Sequence, residues 1–182
     1  ASAKATAEAD DSNTVTWQGK TYKYNQNLSN YLLLGVDKRT PAETRVGKAD
    51  AGQADALFLL SLNRKTKEMT LISIPRDTMT DVESFDLEGK SLGKSKDHIS
   101  LSYGYGDGGA ESCKLTQEAV SNLFYGLPIP GYLAMNLDGI PELTKSVGGL
   151  TVTVPNNSLE YEYPEFAEGA EVTLTEENTE VF

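Results

Sequence analysis

The 182-residue chain has one cysteine (Cys113), one histidine (His98), one tryptophan (Trp17) and no arginine after Arg76. A lone cysteine excludes an intramolecular disulfide framework and any multi-cysteine zinc site. A lone histidine leaves no room for a His-rich metal cluster. No apolar run approaches the roughly 20 residues that a membrane helix needs. Basic charge is scarce as well: 16 Lys+Arg stand against 27 Asp+Glu, a net charge of −11. That balance argues against nucleic acid as a partner, which calls for a basic footprint, and against binding to an anionic membrane surface. The shortage is most acute from Asn156 to Phe182, where eight glutamates occur without a lysine or arginine. This tail reads as under-structured alone, or as a segment whose packing partner lies beyond Phe182.

What remains is the composition of a folded domain, 38% hydrophobic and 24% charged, with length for one well-formed core. Residues 1–13 read as a polar, small-residue linker rather than a signal peptide. Residues 14–29 read as a small accessory hairpin turning at Gln18-Gly19, and 30–182 as the main domain. Tyr31-Leu-Leu-Leu-Gly-Val36 is a continuous apolar run that ends abruptly in Asp37. This pattern predicts a central strand that delivers a polar group at its carboxyl end. Thr80 to Asp97 is polar and reads as an exposed loop. A helix is predicted over about 110–125, with Leu115, Ala119, Val120, Leu123 and Phe124 as its buried stripe. Tyr132–Leu137 reads as a strand, Asp138 as the cap of a short helix closed by Gly148-Gly149, and 150–154 as a further strand. The fold class expected is α/β: a three-layer α/β/α sandwich around a mixed, largely antiparallel central sheet.

The richest local signal is a pair of apolar runs, Asp55–Asn63 and Glu68–Asp77, separated by the polar turn Arg64-Lys-Thr-Lys67. They predict an antiparallel hairpin. With the turn centred between Lys65 and Thr66, residues whose numbers sum to 131 face each other. Asp55 then lies opposite Arg76, Cβ atoms about 5 Å apart in an ideal register. A carboxylate and a guanidinium at the open end of a rigid ladder suit an anionic ligand, a metal or a plain salt bridge. From the residues alone, the salt bridge is the simpler reading. Asp37 and Asp55 also suit a hard cation such as Mg2+, which takes one or two carboxylates and completes its shell with phosphate oxygens. Arg76 suits the phosphate, because its planar fork donates two parallel hydrogen bonds. Arg39 and Arg45 flank this region. Cys113 falls on the helix stripe and reads as a buried, inert thiol, and His98 as a surface histidine.

Six blocks occur in order: Leu32-Leu-Leu-Gly-Val-Asp-Lys-Arg39, Ala54-Asp-Ala-Leu-Phe-Leu-Leu-Ser-Leu62, Met69-Thr-Leu-Ile-Ser-Ile-Pro-Arg-Asp-Thr78, Tyr103-Gly-Tyr-Gly-Asp-Gly-Gly109, Leu123-Phe-Tyr-Gly-Leu-Pro-Ile129 and Val147-Gly-Gly-Leu-Thr-Val-Thr-Val154. The series, covering about 30–155, resembles the LytR-CpsA-Psr family of cell-envelope phosphotransferases. The resemblance implies an extracytoplasmic α/β/α domain, anchored to the plasma membrane by an N-terminal helix absent from this chain. It implies Mg2+-assisted transfer of a sugar-phosphate polymer from a polyprenyl-diphosphate lipid carrier to peptidoglycan. On that likeness Asp37 and Asp55 hold the metal, Arg76 grips the diphosphate with Arg39 and Gln53, and Asp55, Arg76 and Asp77 form the catalytic set.

The chain departs from the family pattern at several points. Gln53 stands where the family usually has arginine, and His98-Ile-Ser100 stands in place of Lys-Ile-Asn. A second arginine cluster is expected just beyond Phe182, so the chain reads as a piece truncated at its C-terminus. Two other functions fit the residues: a binding module that captures the glycopolymer without turnover, and a hydrolase in which water replaces the sugar hydroxyl.

Overall fold

The computed structural model describes residues 13–39 and 44–182. The linker assigned to residues 1–13 therefore lies, apart from Asn13, outside the described residues. The chain divides after Ala134 into two compact units.

The first unit opens with the hairpin β1 (Thr14–Trp17) and β2 (Lys20–Lys23). It turns through Gln18 and Gly19, both at positive φ, as such tight hairpins require. A four-stranded sheet follows in the order β5-β4-β3-β8, made of β3 (Leu28–Val36), β4 (Ala54–Asn63), β5 (Met69–Ile74) and β8 (Gly131–Asn136). The mixed α/β class is as expected, and the apolar run after Tyr31 is an inner strand. β4 pairs antiparallel with β5 with Leu57 opposite Ile74 and Phe58 opposite Ser73. This is the register in which Asp55 and Arg76 oppose each other just past the last ladder pair. Asn63 Oδ1 accepts the amides of Lys65 and Thr66 and so fixes the turn.

One face of the sheet forms the core: Leu32, Leu34, Val36, Leu57, Leu59 and Ile74 are buried together with Val82, Ile99, Tyr103, Cys113, Ala119, Val120 and Ile129. The cover comes from α1 (Leu101–Gly104) and α2 (Ala110–Leu123). In this unit the opposite face is only half covered. Leu33, Phe58, Leu60 and Leu62 are half-buried, while Tyr31, Met69 and Leu71 are exposed.

The exposed loop expected over 80–97 is instead a further hairpin, β6 (Met79–Phe85) and β7 (Ser91–His98). Its sequence is polar because only one side meets protein. Val82 is fully buried there, Thr80 Oγ1 donates to Ala119 O at 3.4 Å, and Asn122 Nδ2 of α2 donates to Asp81 O at 3.1 Å. A single buried apolar residue is too little for period-two reading to detect. The one-turn helix α1 overlaps the start of the Tyr103–Gly109 segment, and Tyr103 Oη donates to Gly108 O at 3.0 Å.

The second unit holds α3 (Gly139–Ser146), β9 (Leu150–Thr153), a single 3-10 turn at Pro164–Phe166 and β10 (Glu171–Leu174). Asn136 Oδ1, not the Asp138 carboxylate, accepts the Gly139 amide at the start of α3 (3.2 Å). The glutamate-rich tail is structured in this unit. β10 pairs antiparallel with β9, and Val154, Phe166 and Leu174 form a small buried core with Tyr163, Val172 and Val181 against it. The tail's glutamates all lie exposed, and their abundance conceals that core from composition-based reading.

Candidate functional site

The site lies where β3 and β4 meet the end of β5. β3 runs out at Val36, which pairs with Ala54 across a β-bulge between Gly35 and Val36. The next residues continue the pairing irregularly: Asp37 N donates to Gln53 O at 3.1 Å, and Gln53 N donates to Asp37 Oδ1 at 2.7 Å. The Asp37 carboxylate is thus aimed by backbone at the start of β4. Gly52 makes this approach possible. Its φ is +94°, and a Cβ there would fall 2.6 Å from Asp37 Oδ1 and 2.7 Å from Lys38 Cγ.

Arg76 organises the other half of the site. It ion-pairs with Asp55 through Nη1, donates from Nη2 to Gln53 Oε1 at 2.8 Å, and places Nε 3.7 Å from Asp77 Oδ1. Buried Ser100 holds the backbone of these pieces together. Its amide donates to Arg76 O at 3.2 Å, and its carbonyl accepts from Ala54 N at 3.3 Å. The side chains of Arg76 and Asp55 remain 43% and 39% exposed. An ion pair this wet contributes under about 1 kcal/mol to folding, so stability does not explain the cluster.

The structure therefore brings Asp37, Gln53, Asp55, Arg76 and Asp77 into one connected network. Arg39 lies exposed two residues past Asp37, next to residues 40–43, which are outside the described set. Gln53, where arginine was expected from the resemblance, is the residue that joins the two halves: its backbone pairs with Asp37 and its side chain accepts from Arg76. The sequence reading missed His98 as part of the site. Its Nδ1 lies 3.3 Å from Asp77 Oδ1. The ladder pairing Met79 with His98, which brings β7 back to the end of β5, hid inside the supposed loop.

Beside Asp37 a polar cavity of about 250 Å3 is lined by Asp37, Lys38, Asp50, Gly52, Gln53 and Tyr105. Among the described residues no group of three or more His, Cys, Asp or Glu side chains is placed to hold a metal. The donor set at hand, two carboxylates on neighbouring strands, suits a cation that draws its other ligands from substrate phosphate and water.

Asp107 Oδ1 accepts the amides of Gly109, Glu111 and Ser112 at 2.8, 3.1 and 3.3 Å. Burial opposes the charge on Asp107, but these backbone hydrogen bonds prevail and hold its carboxyl below the usual range. Cys113, one turn into α2, is buried. Desolvation, with the Asp107 charge second, pushes its thiol up to about 11, which fits an inert side chain. Burial likewise raises Tyr103 to about 12, with smaller contributions from Cys113, Asp107 and Tyr132.

Comparison with known proteins gives consistent relatives. The LytR_cpsA_psr family model matches residues 1–181. A protein of Bacillus licheniformis named polyisoprenyl-teichoic acid–peptidoglycan teichoic acid transferase TagU is 32% identical over 145 residues, covering 79% of this chain and 39% of its own. A Bacillus cereus protein of the same name is 34% identical over 140 residues, covering 76% and 38%. Among solved structures, B. subtilis TagV superposes with a TM-score of 0.59 at 25% identity, covering 87% of this chain and 56% of that one. Protein gbs0355 of Streptococcus agalactiae shares the fold with a TM-score of 0.61 at 21% identity. The chain spans less than half the length of these curated relatives.

Proposed function

This chain belongs to the LytR-CpsA-Psr family, and from its site we propose that it carries the metal-and-diphosphate half of a cell-wall glycopolymer transferase. The donor is a polyprenyl-diphosphate-linked glycopolymer and the acceptor is a sugar hydroxyl of peptidoglycan, acting outside the plasma membrane. The observation that carries this reading is the Gln53–Arg76–Asp55 junction beside Asp37: a half-exposed guanidinium fixed between neighbouring strands, next to a second carboxylate. Support for the substrate class comes from the relatives' names, which specify a polyisoprenyl-linked teichoic acid and peptidoglycan.

In this mechanism Arg76 binds the diphosphate bidentately and neutralises charge that grows on its oxygens as the bond to the lipid phosphate breaks. Gln53 and Asp55 hold the guanidinium plane so that no reorganisation is needed during the reaction. Asp37 and Asp55 would hold Mg2+, which would supply further charge neutralisation at the diphosphate. The half-open face of Leu33, Phe58, Leu60 and Leu71 offers apolar surface for the prenyl chain. Phosphotransfer of this kind needs positioning and charge more than covalent chemistry by the protein.

Three readings separate in one assay. The full-length protein is incubated with Mg2+, a polyprenyl-diphosphate sugar and soluble peptidoglycan fragments. Sugar phosphate appearing on the fragments, and lost in Asp55→Ala and Asp37→Asn, is the expected result. Free sugar phosphate without transfer would instead mark a hydrolase. Donor binding without turnover would mark a capture module, the reading that the neutral Gln53 favours.

A further inference from the structure

His98 is the one histidine of the chain, and it stands at the edge of the Arg76 network. Its place is fixed by backbone. β7 ends on it opposite Met79, the next amide, Ile99 N, donates to Thr78 O at 2.9 Å, and His98 N donates to Asp97 Oδ1 at 2.8 Å. The imidazole Nδ1 lies 3.3 Å from Asp77 Oδ1, and the same oxygen lies 3.7 Å from Arg76 Nε. A carboxylate that accepts from Nδ1–H fixes the tautomer and leaves the Nε2 lone pair free to take a proton. The side chain is 47% exposed, so an incoming hydroxyl can reach that nitrogen.

We propose that His98, oriented by Asp77, is the general base that deprotonates the acceptor sugar hydroxyl. The proposal rests on the phosphotransfer reading above and adds to it a residue which that reading does not use. The hydroxyl proton passes to Nε2, and the hydroxyl oxygen forms a bond to the sugar-linked phosphorus held by Arg76. The bond from that phosphorus to the bridging oxygen breaks, and polyprenyl phosphate leaves with the electron pair. The imidazolium then returns its proton to solvent. Charged groups face His98 from each neighbouring element: Asp77 and Arg76 from the β5–β6 connection, Asp97 from its own strand, and Asp55 from β4 by way of Arg76. The packed helix α1, Leu-Ser-Tyr-Gly, contributes no acid or base other than Tyr103, whose hydroxyl is committed to Gly108 O.

A base and a simple cation at this position have opposite pH behaviour. A base works when neutral, so kcat/KM rises as pH rises. A cation that only holds phosphate works when protonated, so activity falls as pH rises. The test measures kcat/KM against pH in the full-length protein and in His98→Gln, His98→Lys and Asp77→Asn. The donor is a polyprenyl-diphosphate N-acetylhexosamine, and peptidoglycan fragments serve as acceptor. The expected result is a rising acid limb in the wild type. In His98→Gln that limb disappears, with a loss of about 10²–10⁴-fold in rate and unchanged donor binding. His98→Lys stays as slow, and Asp77→Asn displaces the limb. Retention of rate and limb in His98→Gln, or rescue by His98→Lys, overturns the proposal while leaving phosphotransfer intact. Absence of transfer by the wild type overturns the phosphotransfer reading itself.

Discussion

Arg76, Gln53 and Asp107 show how single residues carry this site. Arg76 meets three neighbours through a guanidinium that is itself half-exposed, so its value lies in orientation rather than stability. Asp107 contributes to the fold, because one carboxylate oxygen satisfies three amides at the start of α2. Asp107→Ala is expected to cost about 1–2 kcal/mol in urea unfolding. The pH dependence follows from its lowered folded-state pKa. The contribution is fully present above the unfolded carboxylate value, about 3.9, and fades as pH falls through the lower folded value. The wild-type advantage over Asp107→Ala should therefore be constant at neutral pH and shrink only in strong acid. Cys113 gives a chemical counterpart. With its thiol pushed up to about 11 and its side chain buried, labelling by a thiol reagent at neutral pH should be slow and should accelerate with denaturant. Rapid labelling of the folded protein would contradict its placement in the core.

At the scale of elements, legibility followed the strength of the periodic signal. The β4–β5 ladder was readable to the residue because both strands are apolar and the Asn63 turn leaves only one register. The sequence also placed Asp37 at the mouth of the central strand. It did not reveal β6–β7, where Val82 is the only buried apolar residue among charged and hydroxyl neighbours. With that hairpin unread, His98 had no visible partner. Nor could spacing show that Gln53 bridges Asp37 and Arg76, since that depends on the bulge at Gly35/Val36. Gly52 tests this junction. Gly52→Ala forces a side chain into positive φ and against Asp37, so donor binding should fall by tenfold or more at a stability cost of about 1 kcal/mol. The open sheet face has its own test. Leu71 is largely exposed, so Leu71→Glu should leave the melting temperature within a few degrees while weakening a long-chain polyprenyl donor more than a short-chain one. Equal effects on both donors would remove this face from the account.

The whole molecule consists of two units with separate cores, one around Leu32, Leu57 and Leu59 and a smaller one around Phe166. Leu32→Ala should cost about 2–5 kcal/mol and Phe166→Ala about 3–5 kcal/mol. Hydrogen exchange would show which amides each variant deprotects. At the site, Arg76, Lys38 and Arg39 stand among the carboxylates of Asp37, Asp55 and Asp77. The central claim is that Arg76 acts on the diphosphate through its fork and not through charge alone. The most direct measurement is the transfer rate of Arg76→Lys beside its melting temperature, in the full-length protein with Mg2+ and a polyprenyl-diphosphate sugar. The expected result is an unchanged melting temperature and a loss of about 10²–10³-fold in kcat/KM. Transfer at the wild-type rate in Arg76→Lys would contradict it.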